Sequence, residues 1–185
     1  LLEAIDPCAS YLSAEQYKTY LKDQETEKAD VGLVLARRYG YVGIVDAISG
    51  SPAARVGLTT GDVLEAIQGV STRDMPLAYA EQLLRGEAGT SVEVSVLRIR
   101  KPEPQKITLV RAKVEYPAVV AKMLGGQTGY VAAESLAGTR AAEVIQAVKS
   151  LERQGSKKLI LDLRHAATGT PDEGIAVANA FLDKG

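Results

Sequence analysis

The sequence predicts a mixed α+β protein in three parts: a short helical segment at residues 1–29, a β-sandwich or barrel with two helices at residues 30–112, and the beginning of an α/β core at residues 113–185. In the middle part, short runs rich in valine and isoleucine are bounded by glycine and proline, which is typical of strands and tight turns. From about residue 116 onward, strand patterns alternate with helix patterns, which is typical of α/β structure.

The composition is that of a globular protein. Hydrophobic residues make up 46% and charged residues 24% of 185 residues, so a core can form without disulfides or metal ions. The net charge of -1 gives no basic excess for nucleic acid, and no apolar run reaches the ~18 residues of a membrane span. Cys8 is the only cysteine and His165 the only histidine in the sequence, which excludes an internal disulfide and a Cys/His zinc cluster. We expect no cofactor and no metal.

Both ends indicate a piece of a longer protein. Leu1 lies inside a helical pattern with no initiator methionine, and residues 181–185 resemble a helix that reaches its C-terminal glycine. No signal peptide is present. We therefore expect that a targeting segment could have been lost.

Residues 1–23 are helical in pattern. Ser13 and Gln16 have the spacing of a capping box, and Tyr17, Tyr20 and Leu21 then share one face. The polar residues 24–30 predict a linker.

The β-rich unit is predicted to hold five strands, at residues 31–35, 41–48, 63–67, 91–98 and 106–111. Turns are predicted at residues 37–40, at residues 68–69 and around Pro102 and Pro104. Two helices interrupt the strands. Ser51 and Pro52 begin a short helix that Gly57 ends, and residues 76–84 form a second helix that Gly86 ends.

The last part is predicted to contain strands at residues 116–124, 128–133 and 158–163 and helices at residues 139–154 and 171–182. A turn is predicted at Gly125 and Gly126. The first of these helices has an apolar face of Ala142, Ile145, Val148 and Leu151. The continuous apolar run at residues 158–163 predicts a strand buried on both faces of a parallel sheet.

Residues 50–64 read GSPAARVGLTTGDVL and are followed by IQG at residues 67–69. Together they resemble the core signature of PDZ domains. The resemblance implies a groove between one strand and one helix, in which a peptide adds as an extra strand to the sheet edge. The implied partners are protein substrates or peptides bound through their C-termini, and no nucleic acid.

The resemblance assigns the strand side of the groove to Val31, Gly32, Leu33, Val34 and Leu35, and the helix side to Leu77, Ala80, Leu83 and Leu84. Gly32 would let backbone N–H groups turn inward around a terminal carboxylate. Leu33 and Leu35 would form the floor of a pocket for an apolar last side chain. The alternative is that the apolar helix face is only core, in a PDZ fold used for packing or as a dimer surface.

Further motifs run in order along the chain: IDPCASYLS at residues 5–13, LLRG at 83–86, GYV at 129–131, LILDLR at 159–164, and the helix at 176–182. They resemble the carboxyl-terminal processing (tail-specific) serine proteases, although Cys8 stands where that family usually has histidine. The resemblance implies a serine endopeptidase whose serine nucleophile is activated by a lysine. Both residues should fall beyond Gly185, so this chain lacks the nucleophile and the base.

One part of the active site is implied within the chain. At residues 165–171, HAATGTP, the backbones of Thr168 and Gly169 stand where the family has two glycines that contribute to the oxyanion hole. Threonine in place of the first glycine argues against catalysis, because it accepts fewer backbone conformations than glycine, but it does not argue against the fold. We interpret His165 as a loop residue and Ser135 and Ser156 as loop or capping residues. Asp162 and Arg164 are interpreted as side chains at a strand end that satisfy nearby backbone groups or pair with charges.

Two alternatives to an enzyme remain open. A degenerate family member would bind peptide tails without cleaving them, and a scaffold would use the PDZ unit for assembly without preferring a free carboxylate over an amide. The family resemblance implies the bacterial cell envelope, as a periplasmic or exported protein. The oligomeric state is not predicted.

Overall fold

The structure, a computed structural model, describes residues 11–25, 28–98 and 101–182, with the side chains of residues 23–25 and 102 left undescribed. The described residues form two compact units that meet in sequence between Glu115 and Tyr116. The predicted mixed class is confirmed, because helices and strands occur in both units. The motif at residues 5–13, including Cys8, lies largely outside the described residues, and the three predicted segment boundaries stay predictions.

The first unit contains α1 (Ala14–Glu25), β1 (Leu33–Arg38), β2 (Tyr41–Ala47), α2 (Pro52–Arg55), β3 (Val63–Ile67), β4 (Val70–Ser71), α3 (Leu77–Leu84), β5 (Ser91–Arg98) and β6 (Lys101–Val110). Its strands form an antiparallel sheet in the order β1-β2-β3-β5-β6, with β4 paired to β3. This order puts β1 at one edge of the sheet and β6 at the other.

Both boundaries of β1 and both boundaries of α1 differ from the prediction. β1 begins at Leu33 and continues to Arg38, because Arg38 still pairs with Tyr41 and leaves only Tyr39 and Gly40 for the turn. Both turn residues have positive φ, as tight hairpin turns require. α1 extends through residues 24–25, which were predicted to be linker, and residues 11–13 precede the helix.

The two prolines predicted to form a turn lie instead within β6. Proline has no N–H to donate to a ladder, so an edge strand such as β6 can accept Pro102 and Pro104 where a central strand could not. β4 was not predicted. Its two residues, Val70 and Ser71, are too short to show a period-two pattern.

The predicted helix ends are mostly confirmed. The N–H of Gln16 donates to Ser13 Oγ at 3.2 Å and the N–H of Ser13 donates to Gln16 Oε1 at 2.8 Å, which completes the capping box. Ser51 Oγ accepts the N–H of Ala54 at 3.2 Å. Gly86 is different, because it pairs with Ala29 in an isolated bridge and the chain is already extended at Arg85.

The core of the first unit is built from α2, α3, the strands β2, β3, β5 and β6, and the segments between them. Its buried residues are Val31, Val42, Ile44, Ala53, Leu58, Leu64, Ile67, Met75, Ala80, Leu84, Val92, Val94, Val96 and Leu109. On β5, the alternate residues Val92, Val94 and Val96 face this core, as the period of two in a strand requires.

The second unit contains β7 (Val120–Leu124), β8 (Thr128–Ala132), α4 (Arg140–Arg153), β9 (Lys158–Asp162) and α5 (Pro171–Asn179). β7 pairs antiparallel with β8, and β8 pairs parallel with β9. The turn predicted at Gly125 and Gly126 is confirmed. Thr139 and Gln154 flank α4 as its caps, close to the predicted bounds.

Four predictions for this unit differ from the structure in detail. α4 buries Ala141 and Val144, whereas the predicted Ala142 is exposed and the predicted Ile145 is only partly buried against the same core, so the apolar face is displaced in its first half. β9 is not buried on both faces, since Ile160 is 48% exposed. β7 begins only at Val120, and α5 ends at Asn179.

Candidate functional site

The first candidate site lies where β1 and α3 adjoin. Leu33 and Leu35 of β1, and Leu77 of α3, are half-buried and pack against the same core. Among the described strands β1 pairs only with β2, so its other edge is unpaired by any of them. The structure therefore brings the predicted strand and helix together beside an available sheet edge.

Other predicted groove residues belong to the interior or to a different face. Val31, Ala80 and Leu84 are buried core residues. Leu83 helps to line a cavity of 450 Å³ toward α1, where Gln82 Nε2 donates to the carbonyl oxygen of Gln16 at 3.0 Å. The groove wall offered by α3 is therefore narrower than predicted, with Leu77 as its half-buried apolar side chain on the first turn.

Gly32 is held in a conformation that only glycine accepts easily. Its φ is +79°, and a Cβ at this position would lie 2.3 Å from Ser51 Cβ. Its carbonyl oxygen accepts the N–H of Ile48 at 2.9 Å and the hydroxyl of Ser51 at 3.4 Å. The carbonyl side of this segment is thus fixed against α2, and its N–H groups point elsewhere.

Asp30 takes those N–H groups, which the sequence reasoning missed. Asp30 Oδ1 accepts the N–H of Val31 at 2.5 Å and the N–H of Gly32 at 3.0 Å. Its other oxygen, Oδ2, lies 3.2 Å from Arg85 Nε. The available signal was an aspartate directly before the segment, a residue type that often bonds to nearby backbone N–H groups.

Arg111 is a second residue that the sequence did not reveal. It is 7% exposed, and its guanidinium donates to four oxygens: Leu84 O at 2.8 Å, Leu83 O at 2.8 Å, Ser91 O at 3.1 Å and Thr90 Oγ1 at 3.0 Å. The last carbonyl groups of a helix have no N–H partner within the helix. Arg111 provides N–H donors for two of these carbonyl oxygens at the end of α3. It therefore holds in place the helix that forms one wall of the groove.

The second candidate site is the pair of predicted oxyanion donors in the other unit. The Thr168 hydroxyl donates to the buried Ser135 hydroxyl at 2.8 Å, and Ser135 Oγ also accepts the N–H of Ala137 at 3.0 Å. The carbonyl oxygen of Thr168 accepts the N–H of Leu136 at 3.0 Å. The threonine side chain thus ties two loops together, and the Ser135 hydroxyl is occupied by these bonds.

Gly169 follows with φ of +135°, and a Cβ there would lie 3.1 Å from Leu136 Cβ and 3.3 Å from Glu173 Oε2. Among the described residues, neither the Thr168 N–H nor the Gly169 N–H has a hydrogen-bond partner. Two unengaged backbone donors in succession are the kind of group that can stabilise a developing oxyanion.

Glu173 organises the start of α5 beside these donors. Its carboxylate accepts the N–H of Thr170 at 2.6 Å and the N–H of Gly138 at 2.7 Å. These backbone bonds, led by that from Thr170, hold the pKa of Glu173 below its usual value. Thr170 accepts the N–H of Glu173 in return, which completes a capping box.

Asp162 at the end of β9 is engaged in a small polar cluster. Arg164 binds its two carboxylate oxygens at 2.9 and 2.7 Å, and the hydroxyl of Tyr130 donates to it at 2.8 Å. The bonds from Arg164, followed by the bond from Tyr130, hold the pKa of Asp162 far below its usual value. The bond to the Asp162 carboxylate in turn raises the pKa of Tyr130. Asp162 thus accepts from both the backbone N–H and the side chain of Arg164 at the strand end, in agreement with the interpretation that these side chains satisfy backbone groups or pair with charges.

The remaining candidates have structural positions. Ser156 accepts the N–H of Gly129 at 2.9 Å and donates to the carbonyl oxygen of Lys158 at 2.7 Å, and His165 is exposed in the turn after β9. Over residues 11–25, 28–98 and 101–182, no group of three or more His, Cys, Asp or Glu side chains could hold a metal ion. Over the same residues, no helix is both long and apolar enough to span a membrane.

Comparison with known proteins agrees with the motifs in both units. Residues 43–98 match the PDZ domain model, and residues 127–185 match the model of peptidase family S41. The carboxy-terminal processing protease CtpA of Bacillus subtilis (strain 168) is 30% identical over 180 residues, which are 97% of this chain and 38% of that protein. The structure of a photosystem II D1 C-terminal processing protease matches 98% of this chain and 51% of that one, with a TM-score of 0.85 and 26% identity.

The predicted resemblance is confirmed. This chain is a PDZ-bearing relative of the carboxy-terminal processing serine proteases. A second curated relative, a probable CtpA-like serine protease of Staphylococcus aureus (strain COL), is 28% identical to this chain over 183 residues, which are 99% of this chain and 36% of that protein. The chain therefore spans less than two fifths of the length of these curated relatives.

Proposed function

We propose that this chain is the tail-recognising part of a serine endopeptidase that acts on proteins with apolar C-termini. The observation that carries the proposal is the unpaired edge of β1 beside α3, with Leu33, Leu35 and Leu77 half-buried between them. An extended peptide that added to this edge would gain backbone hydrogen bonds from the strand and apolar contacts from the three leucines.

In this proposal the N–H groups around Gly32 hold the terminal carboxylate of the peptide, and the leucines select an apolar last side chain. Capturing the tail raises the concentration of the rest of the substrate near the catalytic unit, so cleavage is favoured without new contacts at the scissile bond. The partners are protein substrates and peptides, bound through their C-termini.

The catalytic step requires a serine and a lysine, which we place in sequence that follows Gly185 in the whole protein. The much greater length of the curated relatives supports this placement. The lysine must be buried for its pKa to fall enough to act as a base. Thr168 and Gly169 would contribute their backbone N–H groups to the oxyanion hole. By family resemblance we also propose the bacterial cell envelope as the site of action.

A second candidate function, binding without cleavage, is favoured by one observation. The Thr168 side chain is bonded to Ser135, so the loop that holds the predicted oxyanion donors has its own structural ties. A family member that had lost its serine or lysine would keep these ties and the groove, and would act as a tail-binding or scaffold protein.

Peptide binding is tested by replacing Leu77 with aspartate in the 185-residue chain. Leu77 is the first residue of α3, where an acidic side chain interacts favourably with the helix dipole and offsets part of the core packing that the substitution removes. We expect fluorescence anisotropy to show about tenfold weaker binding of a peptide that ends in leucine with a free carboxylate, since burying such a side chain contributes about 1.5 kcal/mol or more.

The control is Val70→Asp, an exposed position on β4 outside the groove, which should leave binding unchanged. Equal effects of the two substitutions, or equal binding of a peptide that ends in aspartate, would show that the β1–α3 groove is not the binding site.

A further inference from the structure

The carboxylate of Asp30 occupies the position that the proposed function reserves for the end of a peptide. Backbone N–H groups around Gly32 were predicted to turn inward around a terminal carboxylate, and in the structure the N–H groups of Val31 and Gly32 both donate to Asp30 Oδ1, at 2.5 and 3.0 Å. A carboxylate from the protein itself therefore has the bonds that a carboxylate from a ligand would need.

The backbone around Asp30 fixes this arrangement. The N–H of Asp30 donates to the carbonyl oxygen of Ala112 at 3.0 Å, and the N–H of Ala112 donates back to Asp30 at 2.9 Å. The preceding residue, Ala29, exchanges two bonds of 3.0 Å with Gly86. The backbone that carries the Asp30 side chain is thus paired with two other segments. The fold therefore fixes where the Asp30 carboxylate lies.

Arg85 binds the other carboxylate oxygen of Asp30 but leaves the Asp30 side chain accessible. Its Nε lies 3.2 Å from Asp30 Oδ2, while its Nη2 lies 3.8 Å from Glu81. The Asp30 side chain remains 30% exposed, and a cavity of 360 Å³ opens beside it, lined also by the basic residues Lys28 and Lys113 and by the apolar residues Ala29, Ala88 and Val114. A ligand can therefore approach the carboxylate, although it cannot take the two N–H groups while Asp30 holds them.

We propose that Asp30 is an internal competitor for the C-terminal carboxylate of the peptide and sets how strongly the groove prefers a free tail. The proposal rests on the proposed function of the groove. A free tail must displace Asp30 from two charge-assisted bonds or lie beside it as a second negative charge, and both weaken binding. A peptide with an amidated end has no charge to repel and less to gain from the N–H groups.

Replacing Asp30 with alanine tests this directly. Anisotropy titration of the 185-residue chain should show about tenfold tighter binding of a leucine-ending peptide with a free carboxylate, because bonds to charged groups contribute more than neutral ones. Binding of the amidated form of the same peptide should change less than about twofold, so the ratio of the two affinities rises. An affinity gained in this way cannot result from loss of the fold, which would weaken both peptides.

Two further variants keep the test decisive. Asp30→Asn retains an acceptor oxygen but loses the charge, so its affinity for the free tail should lie between those of the native chain and Asp30→Ala, and it covers the case in which the alanine variant does not fold. Glu93 on β5 forms an exposed ion pair with Lys106 on β6. Glu93→Gln removes one negative charge there and should change neither affinity.

The outcomes separate this inference from the proposed function. If native and Asp30-substituted chains bind the free tail equally and prefer it equally over the amide, Asp30 does not compete and the inference is wrong, while the groove stands. If no variant binds either peptide, the proposed function of the groove fails and the inference fails with it.

Discussion

Replacing Gly32 with alanine is expected to destabilise the first unit strongly. The new Cβ would lie 2.3 Å from Ser51 Cβ and 2.7 Å from Ser51 Oγ, and alanine would also be forced into a φ of +79°. Ser51 is itself buried and caps α2, so it cannot move aside without loss of that cap. The strain and the displaced packing together should cost at least about 3 kcal/mol.

Thermal unfolding followed by circular dichroism measures this loss. For a unit of roughly 100 residues, 3 kcal/mol corresponds to a decrease in Tm of about 10 °C or more. Gly57→Ala is the matched control, because Gly57 has a similar φ of +74° but no atom lies within 4 Å of the place that its Cβ would take. The control should lose only about 1 kcal/mol. Similar losses for the two variants would mean that contact with Ser51 does not determine the choice of glycine at residue 32.

Replacing Arg111 with methionine should also destabilise the first unit strongly. The apolar stem would be preserved, but the buried carbonyl oxygen of Leu84 and the partly buried carbonyl oxygen of Leu83 would lose their donor. A buried polar group left without a partner costs about 1–3 kcal/mol, so two of them should lower the free energy of unfolding by about 3 kcal/mol.

Urea unfolding of the variant measures that change, and peptide binding shows its consequence for α3. Arg55→Met, at an exposed position on α2, is the control and should change the stability by less than about 0.5 kcal/mol. Gly86→Ala is expected to act in the same direction as Arg111→Met, since a Cβ at Gly86 would lie 2.9 Å from Arg111 Nε. A stable Arg111→Met chain would show that water replaces the guanidinium at little cost.

The sequence revealed those features whose signals are local. The capping pair Ser13 and Gln16, the Ser51 cap and the turn at Gln68 and Gly69 are each encoded within four residues, and each is confirmed. The motif of the PDZ signature is also local, and it identified the fold before the strands were known.

The features that were missed depend on contacts between distant parts of the chain. Arg111 reads as an ordinary strand-end cation until the fold brings it to the end of α3, 27 residues earlier in sequence. Pro102 and Pro104 read as a turn because nothing local marks β6 as an edge strand. Ala141 and Ala142 are equivalent in any hydrophobicity pattern, so only packing decides which of them is buried.

The candidate site was predicted in outline and altered in detail. Nothing in the sequence required Asp30 to bond to the N–H groups at Val31 and Gly32, because the same pattern is compatible with open donors. Leu83 was indistinguishable from Leu84 as a groove residue until α1 was placed beside it. The catalytic residues are inferred from resemblance alone, and their roles stay predictions.

Tail recognition is tested most directly by cleavage with the whole protein that contains this chain, using two substrates that differ only in their last few residues. One substrate ends in apolar residues with a free carboxylate, and the other ends in aspartates. We expect a kcat/KM at least about tenfold higher for the apolar tail, because capture of the tail precedes cleavage. Equal rates on the two substrates would contradict recognition through the PDZ groove, and binding of the apolar tail without any cleavage would contradict the assignment as an endopeptidase.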